Sequence, residues 1–397
     1  MSDLAERAGT QASLRSDWPG LPTPNLQGPL AIDGRALPVM FFAPMKPPDH
    51  PVPSGDRAIA RLLCAALAKA GAAVTLASSL RLIDTKGDTE AQSRIEQAAA
   101  AEVARIVAEN AAPARLWLTY HCHYKAPDLV GHAVAKQLGL PYAIVEPSIS
   151  PRRREGPWAR FAEASEAAIA AADRLFWTTE RDRPALDAEG HAARMVHLPP
   201  FIDTGPTPQR LGAPVSRPLR LLAVGMMRPG DKIESYRRLA ASLHHLEAPW
   251  SLTIAGDGPC REEVATLFAD FNSPGPAKTP ERRVSFVGVL GPEPMRSAME
   301  SADLMVWPGV GEGVGMAWLE AEAAGLPVVA EDGPAARSVV TGRLAMPGNA
   351  RAFAEAIRSA AEDRAALSIS SREAVVARHG LDAAAERLGV ALLEILR

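Results

Sequence analysis

The fold of this chain is decided by the stretch Pro308-Gly-Val-Gly-Glu-Gly-Val-Gly-Met-Ala-Trp-Leu-Glu-Ala-Glu-Ala-Ala-Gly-Leu-Pro-Val-Val-Ala330. It follows the apolar run 304–307, which is typical of a buried parallel strand. Glycines alternate with other residues from Gly309 to Gly315, and the residues after them are good helix formers. Gly325 stands where a helix ends, before the next apolar strand. The pattern therefore predicts a strand, a glycine loop, a short helix and a second strand.

The glycine loop and the helix start together predict an anion-binding site. Unpaired N–H groups at a helix N-terminus and the helix dipole both favour a phosphate, and glycines let it approach the backbone. Two carboxylates frame this site, Glu312 in the loop and Glu320 in the helix. A carboxylate accepts hydrogen bonds from two vicinal sugar hydroxyls, so the combination indicates a phosphate flanked by sugars, as in a nucleotide-sugar. The alternative is that both glutamates are solvated and that the glycines only form a tight turn.

The segment from Glu312 to Ala330 resembles the signature of the retaining GT-B glycosyltransferases of family four, the glycosyl transferases group 1. That signature reads Glu-Gly-Phe-Gly, a few apolar residues, Leu-Glu-Ala and then Gly-x-Pro-Val-Val-Ala. The resemblance extends over about residues 37–395 and is strongest at 219–345. It implies an α/β fold of the GT-B architecture, with two facing Rossmann-like, doubly wound parallel-sheet domains and an interdomain cleft.

Composition independently describes a soluble globular protein. The 397 residues are 47% hydrophobic and 22% charged, and the net charge of −3 gives no reason to expect nucleic-acid binding. Three scattered cysteines indicate neither a disulfide framework nor a cysteine-based zinc site. Neither a transmembrane span nor a signal peptide is predicted, so we expect a cytoplasmic protein.

The alternation of strands and helices on both sides of a proline-rich segment predicts two domains. We predict a polar N-terminal extension at 1–35, a first domain at 36–204, a linker at 205–218, a second domain at 219–380 and a C-terminal helix at 381–397. The resemblance implies that the first domain binds the acceptor, that the second binds the donor, and that the last helix returns to the first domain.

The resemblance assigns donor-binding residues in the second domain. Glu320 is expected to hold the ribose hydroxyls, and Glu312 is expected to face the transferred sugar as a catalytic residue. The positions expected to meet the donor through the backbone of the glycine loop are Gly313, Val314, Gly315 and Met316.

Family members also place an arginine and a lysine after the first strand of the second domain, where they neutralise the diphosphate. Here Met226 replaces the residue that follows the glycine, Arg228 stands two positions later, and Lys232 follows with one extra residue. We therefore expect Lys232 to act in catalysis and Arg228 to bind the donor in a shifted register. A salt-bridged surface pair is the alternative.

Candidate residues of the first domain lie at strand ends, because these line the ligand crevice of parallel sheets. Gly55, after Ser54, stands where the family carries a glycine pair near the diphosphate, and an ordinary turn is the alternative. Glu146 replaces a histidine of many family members; we expect it to orient an acceptor hydroxyl as a catalytic residue, and a surface loop glutamate is the alternative. His121 and His123 either face a ligand or pack structurally, because no further zinc ligands are suitably spaced.

The segment 151–161 places arginines beside Trp158 and Phe161. Such a segment either contacts a lipid surface or an anionic acceptor, or it is a solvated start of a helix. The first interpretation predicts peripheral contact with the inner face of the membrane.

We therefore expect a retaining, metal-independent glycosyltransferase that needs no cofactor and takes a nucleotide-sugar, such as a UDP- or GDP-sugar, as its donor. The acceptor stays open among glycans, lipids and small molecules. Two alternatives share the fold: a nucleotide-sugar-binding protein that has lost catalysis, and a GT-B enzyme that uses a sugar phosphate. A Rossmann dehydrogenase is rejected, because residues 43–55 are proline-rich where that fold requires Gly-x-Gly-x-x-Gly.

Overall fold

The computed structural model describes residues 22–52, 54–109, 114–215, 218–272 and 283–397. The chain divides into two compact units, each with its own sheet. The first unit comprises the described residues up to Pro199 together with Ala384–Arg397, and the second unit comprises Pro200–Ala383.

The described residues form thirteen β-strands and thirteen α-helices. The strands are β1 (Ala31–Ile32), β2 (Arg35–Phe42), β3 (Ala72–Ser78), β4 (Leu116–Tyr120), β5 (Tyr142–Val145), β6 (Arg174–Trp177), β7 (Met195–His197), β8 (Leu219–Val224), β9 (Trp250–Ala255), β10 (Val284–Gly288), β11 (Leu304–Val306), β12 (Val328–Glu331) and β13 (Arg343–Ala345). The helices are α1 (Gly55–Lys69), α2 (Thr89–Glu109), α3 (Gly131–Leu138), α4 (Ala159–Ala171), α5 (Arg183–Ala188), α6 (Asp231–Leu243), α7 (Arg261–Leu267), α8 (Pro292–Ser301), α9 (Met316–Ala323), α10 (Pro334–Val339), α11 (Ala350–Glu362), α12 (Arg364–His379) and α13 (Leu381–Glu394).

The sheet of the first unit is parallel apart from β1. Its parallel strands lie in the order β3-β2-β4-β5-β6-β7, and β1 pairs with the start of β2 in antiparallel orientation. All residues of β4 are buried, as expected for a central strand of a sheet covered on both faces. The strand order reverses between β2 and β4, so the carboxyl ends of these two strands flank the switch point at which such sheets bind ligands.

The sheet of the second unit is parallel throughout its described strands. The order is β10-β9-β8-β11-β12-β13, which is the 3-2-1-4-5-6 order of doubly wound dinucleotide-binding sheets. The order reverses between β8 and β11, which places a second switch point where these strands end. The predicted α/β class with two doubly wound parallel sheets is confirmed.

The stretch after β11 folds as predicted. The glycine loop leads from β11 into α9, and β12 follows after a short turn. Gly325, just after α9, has a φ of 66°, which is the left-handed conformation in which helices commonly end at glycine.

The described part of the predicted N-terminal extension, residues 22–35, packs against the first unit. Leu30 is fully buried, and its N–H donates to the carbonyl of Ala70 at 2.6 Å. The N–H of Asn25 donates to the carbonyl of Ala68 at 2.8 Å, so the segment covers the end of α1. The remainder of the predicted extension, 1–21, lies outside the described residues.

The predicted linker, 205–218, packs against the second unit in its described part. The boundary between the units falls earlier, after Pro199. The guanidinium of Arg210 donates to the buried carboxylate of Asp303 at 3.2 Å, and the buried side chain of Arg364 donates to carbonyls of the segment. These charged contacts hold a segment whose prolines alone suggested a free connection.

The C-terminal helix α13 is grouped with the first unit from Ala384 onwards. Its Gly389 lies against the described part of the N-terminal extension, because a Cβ there would be 2.3 Å from the ring of Pro29. Near the end of the helix, Glu394 pairs with Arg174 of β6 at 2.8 Å.

The basic segment 151–161 is a poor candidate for lipid contact. Phe161 is fully buried, and the guanidinium groups of Arg154 and Arg160 are paired with glutamates. The solvated-helix interpretation fits these contacts better. Across the described ranges, no helix combines the length and the apolar character needed to cross a membrane.

Candidate active site

A cavity of about 560 Å³ lies at the switch point of the second sheet. Its walls come from the ends of β8, β9 and β11 and from the first turns of α6 and α9. This is the crevice in which doubly wound sheets bind their ligands. The lining residues include five predicted site residues, Lys232, Glu312, Val314, Gly315 and Met316.

Three glycines of the loop are required by the packing of the loop itself. The φ angles of Gly309, Gly311 and Gly315 are 76°, 64° and 71°, all in the left-handed region. A Cβ at Gly309 or Gly315 would lie 2.1 or 2.3 Å from the ring of Trp318. A Cβ at Gly311 would lie 2.1 Å from the carboxylate of Asp231. The loop is therefore packed tightly between Trp318 and α6, which sets the position of the glutamate within it.

Gly313 is different, because nothing in the structure requires a glycine there. Its φ is not in the left-handed region, and no atom lies within 4 Å of a Cβ built on it. Among the described residues, the backbone N–H groups of 313–317 have no hydrogen-bond partner, and α9 begins without a capping side chain. Unpaired N–H groups at a helix N-terminus bind anions, so these residues form an open anion site.

Lys232 lies in the first turn of α6, where the helix dipole disfavours a cation. Its ammonium group donates to Oε1 of Glu312, and both side chains are partly buried at 26% and 17% exposure. An ion pair of one lysine and one glutamate therefore lines the cavity that also receives the N-terminus of α9.

The same carboxylate oxygen of Glu312 accepts a second hydrogen bond. Nε1 of Trp307 donates to Oε1 at 2.9 Å, and the Trp307 ring lies 5.7 Å from the ammonium of Lys232. Within the described part of the chain, Oε2 of Glu312 has no hydrogen-bond partner. The carboxylate is thus held through one oxygen and offers the other to a ligand.

Glu320 does not line this cavity but faces a larger one of about 890 Å³. Leu290 and Met295 line both cavities, so the two are adjacent. The carboxylate of Glu320 makes no hydrogen bond or ion pair with any described residue. Desolvation by the surrounding cavity walls raises its pKa above the usual value, although the side chain remains accessible to solvent.

The structure does not bring Arg228 into either of these cavities. Its side chain is exposed, whereas Met226, two residues earlier, lines the smaller cavity. The carbonyl of Arg228 accepts the N–H of Ile233 at 3.2 Å. The backbone of Arg228 therefore connects the loop after β8 to the first turn of α6. Lys232, at the start of that helix, is the predicted cation that reaches the cavity.

The first unit has a polar cluster at its own switch point. Asp56, in the first turn of α1, pairs with His121, which follows β4; Oδ1 and Nδ1 are 3.6 Å apart. Glu146 follows β5, and both His121 and Glu146 have left-handed φ angles, of 65° and 59°. Such angles are uncommon outside glycine and cluster at functional sites. Gly55 adjoins Asp56, and a Cβ there would meet open space.

The charges in this cluster depend on one another. The neighbouring imidazole of His121 lowers the pKa of Asp56. Burial opposes the charged imidazolium, but Asp56 and Glu146 outweigh it and raise the pKa of His121. Burial raises the pKa of Glu146. The cluster therefore combines an ion pair with a carboxyl group that holds its proton more readily than usual.

His123 plays a structural role. Burial lowers its pKa to about 3, and its Nε2 lies 3.4 Å from the sulfur of Met45. Its Nδ1 accepts the N–H of Lys125 at 3.1 Å, so the neutral ring fixes the turn after β4. In the part of the chain that the structure describes, no group of three or more His, Cys, Asp or Glu side chains could hold a metal ion.

Two contacts of the site were missed in the sequence. Asp56 is the partner of His121, although the sequence alone does not single it out. Trp307 was interpreted as part of a buried strand, whereas its N–H binds Glu312. No short pattern in the sequence marks either contact, because the two partners belong to different segments of the chain.

Residues 218–363 match the family described as Glycosyl transferases group 1. This match lies within the second unit and includes the cavity with Lys232 and Glu312. Among curated proteins, no sequence matches the chain.

Solved structures resemble the chain over most of its length. Sucrose-phosphate synthase (tll1590) from Thermosynechococcus elongatus is 20% identical, with a TM-score of 0.63 over 91% of this chain and 99% of that one. Alr3699/HepE from Anabaena, in complex with UDP, is 17% identical, with a TM-score of 0.63 over 90% and 100%. The lipopolysaccharide outer core galactosyltransferase WaaB, in its apo form, is 14% identical, with a TM-score of 0.63 over 90% and 99%. The chain therefore has the GT-B fold, and its second unit carries the region that matches the Glycosyl transferases group 1.

Proposed function

We propose that the protein transfers a sugar from a nucleotide-sugar donor to an acceptor, and that its second unit binds the donor. The observation that carries this proposal is the convergence of Lys232, Glu312 and the unpaired amides of 313–317 on one cavity at the switch point. Such a set suits a diphosphate linked to a sugar. The adjacent cavity at Glu320 has room for a nucleoside.

The chemistry follows from where charge develops. When the glycosidic bond of the donor breaks, the leaving diphosphate gains negative charge. The N–H groups at the start of α9 are already fixed beside the cavity, and the ammonium of Lys232 can turn from Glu312 to the diphosphate, so together they stabilise that charge. We therefore propose that transfer needs no metal ion.

A chelator tests this proposal directly. Sugar transfer by the purified protein is expected to keep its rate in excess EDTA, because protein groups supply the positive charge. The measurement is the rate of nucleotide release before and after chelation, with a metal-dependent transferase assayed in parallel as a control. A rate that falls with EDTA and returns with Mg²⁺ or Mn²⁺ would contradict metal independence.

The two glutamates are proposed to divide the donor between them. Glu320, with an unpaired carboxylate, would accept hydrogen bonds from the ribose hydroxyls. Glu312 would meet a hydroxyl of the transferred sugar through its free oxygen. Leu290 and Met295 line both cavities, so they would lie beneath the bond that joins the nucleoside of the donor to its diphosphate.

Retention of the anomeric configuration is proposed from the family resemblance. We assign no covalent nucleophile, because the front-face mechanism implied by the resemblance needs none. NMR of the first product formed from an α-linked donor tests this point: an α-linked product supports retention, and a β-linked product refutes it.

Glu146 is proposed to orient a hydroxyl of the acceptor. Its raised pKa and its left-handed backbone at the end of β5 support this role. Replacing Glu146 with Gln is expected to lower the rate of transfer to acceptor and to leave UDP affinity unchanged. Equal activity of the two proteins would refute this role.

The first experiment is a thermal-shift screen with UDP, GDP, ADP and CMP, followed by turnover with the matching sugar nucleotides. UDP comes first because the similar Anabaena protein was solved with UDP and with UDP-glucose. A ligand at about 100 times its dissociation constant adds roughly 2.7 kcal/mol of apparent stability. Stabilisation and turnover together support a glycosyltransferase. Binding without turnover would favour a nucleotide-sugar-binding protein that has lost catalysis. A response only to sugar phosphates would favour a GT-B enzyme that uses a sugar phosphate.

A further inference from the structure

We propose that Trp307 is a positioning residue, whose indole N–H keeps the Glu312 carboxylate in place when Lys232 turns to the donor diphosphate. The inference rests on the proposed function and extends it to a residue outside the glycine loop. Trp307 follows β11 and touches the cavity with one edge.

The indole ring has almost no freedom to move. Trp307 is 1% exposed, and the ring of Tyr236 packs against it edge-on at a centroid distance of 4.9 Å. A Cβ at Gly225 would lie 2.7 Å from the ring, so that residue must lack a side chain. The hydroxyl of Tyr236 donates to the carbonyl of Gly225 at 2.6 Å, which ties both neighbours together. The direction of the indole N–H is therefore fixed by the core.

The two donors to Glu312 differ in what they can do when a ligand arrives. Lys232 ends a flexible chain that is 26% exposed, and its ammonium can turn to a phosphate. The indole N–H can only donate, and its single hydrogen bond already goes to Oε1 of Glu312 at 2.9 Å. A ligand that draws away Lys232 therefore leaves Trp307 as the contact that orients the carboxylate.

Without that contact, a diphosphate would have two unfavourable effects on Glu312. It would remove the lysine that holds the side chain, and it would repel a carboxylate left free beside it. A fixed N–H opposes both, because it keeps Oε1 engaged and keeps Oε2 directed towards the sugar. Trp307 should therefore affect the sugar half of the donor, whereas Lys232 should affect the diphosphate half.

The test compares UDP with the UDP-sugar that gives the largest shift in the screen. For each variant, calorimetry gives both dissociation constants and kinetics gives kcat and KM. W307F keeps a ring for Tyr236 and removes only the N–H donor and part of the ring. W250F is the matched control, because Trp250 is 3% exposed in the same unit and its N–H has no described partner.

W307F is expected to bind UDP within about threefold of W250F. Its affinity for the UDP-sugar relative to UDP, and its kcat, are expected to fall at least about tenfold, as for the loss of a hydrogen bond to a charged group. In an E312Q background, W307F should add no further loss, because Trp307 acts through Glu312. A W307F protein that behaves like W250F in all these respects would overturn the proposal.

K232M keeps the test decisive even where W307F does not fold. It is expected to weaken UDP at least about tenfold and to leave the ratio of the two dissociation constants at the wild-type value. A K232M protein that loses this ratio would show that the lysine orients Glu312, which would overturn the proposal. Wild-type protein that binds no nucleotide would instead refute the proposed function, and this inference with it.

Discussion

Glu320 and Glu322 are two residues apart on α9 but lie in opposite environments. Residues at this spacing point to opposite sides of a helix. Glu320 is exposed towards the larger cavity and has no partner among the described residues. Glu322 is fully buried, and its Oε1 accepts the N–H groups of Thr341 and Gly342 at 2.8 and 2.9 Å. The first carboxylate is free for a ligand, and the second joins α9 to the turn before β13.

Replacing Glu320 with Ala is expected to weaken nucleotide binding by roughly 1–3 kcal/mol, the cost of losing one to a few hydrogen bonds to a charged group. The Glu320 carboxylate makes no hydrogen bond or ion pair with a described residue, so the melting temperature of E320A should stay near that of the wild type. Calorimetric titration with the nucleotide found in the screen measures the effect. Wild-type affinity in a folded E320A protein would refute the ribose role, and E322Q on the same helix is the control.

Glu322 should make stability depend on pH. Burial raises its pKa from 4.5 to about 7, and its Oε2 has no described partner. Below about pH 4.5 the carboxyl is protonated in both states; between that pH and about pH 7 only the unfolded state ionises, so stability falls as pH rises. The maximum loss is about 3 kcal/mol.

The variant E322Q isolates this effect, because an amide keeps an oxygen for Thr341 and Gly342 and does not titrate. It should match the wild type in melting temperature near pH 5 and exceed it by several degrees near pH 8, as expected for a unit of this size. Thermal unfolding followed across this pH range makes the comparison. Parallel curves for the two proteins would contradict the assignment of the titrating group.

Single residues could be predicted wherever the local sequence carried their role. The place of Glu312 in a loop and of Glu320 in a helix could be predicted from the local sequence, whereas Lys232 was singled out by the family resemblance; the roles of all three stay predictions. The contacts of Trp307, Asp56 and Glu322 could not be predicted. Their partners come from other strands and helices, and no short pattern in the sequence records which side chains a fold brings together.

The glycine loop shows that a repeated residue can serve two purposes. Gly309, Gly311 and Gly315 permit left-handed angles and close contacts with Trp318 and α6. Gly313 has neither a left-handed angle nor a close contact, so we infer that its missing side chain leaves the unpaired amides at the start of α9 accessible to a ligand. The first purpose concerns folding, and the second concerns the ligand.

Two alanine substitutions separate these purposes. G315A should destabilise the second unit by more than about 1 kcal/mol, because an alanine there must adopt a left-handed angle and would clash with Trp318. G313A should leave the melting temperature unchanged and weaken nucleotide binding by tenfold or more, because its methyl group would stand beside the unpaired N–H of residue 313 itself and hinder a phosphate that binds there. Thermal unfolding and calorimetry on both proteins measure this contrast. Normal binding by G313A, or normal stability of G315A, would contradict it.

At the level of strands and helices, periodicity and turn residues predicted most elements to within a few residues. Helix α8 begins at Pro292, because proline is well suited to the first turn of a helix. Strand β1 was missed, since its two residues carry no periodicity and are held by pairing with β2. Proline content predicts a linker at 205–218, but it does not reveal that Arg210 within it binds a buried aspartate.

Both units use one physical principle to place their polar residues. Each sheet reverses its strand order once, between β2 and β4 or between β8 and β11, and loops diverge at that point to leave a crevice. The class of sheet could be predicted from alternating strands and helices. The strand order could not, because it depends on how the strands pair in three dimensions and leaves no local trace.

The division of the chain leads to a last prediction about the whole molecule. A nucleotide alone should protect the second unit and leave β6 and β7 of the first unit unchanged. The unpaired amides of 313–317 should exchange their hydrogens quickly in the free protein, because nothing described binds them. With UDP, or the nucleotide found in the screen, a phosphate should occupy these amides and slow their exchange by tenfold or more. Hydrogen exchange read by mass spectrometry on the full chain makes this comparison.

The K232M variant provides its control. At the same nucleotide concentration, the amides of its glycine loop should still exchange their hydrogens quickly. A higher nucleotide concentration should restore protection, because the lysine adds affinity but is not part of the site that the amides form. Protection that appears in β6 and β7 and not in the glycine loop would place the nucleotide in the first unit. That outcome would refute the donor assignment even if the protein proved to be a transferase, because the amides of α9 would then have no phosphate to bind.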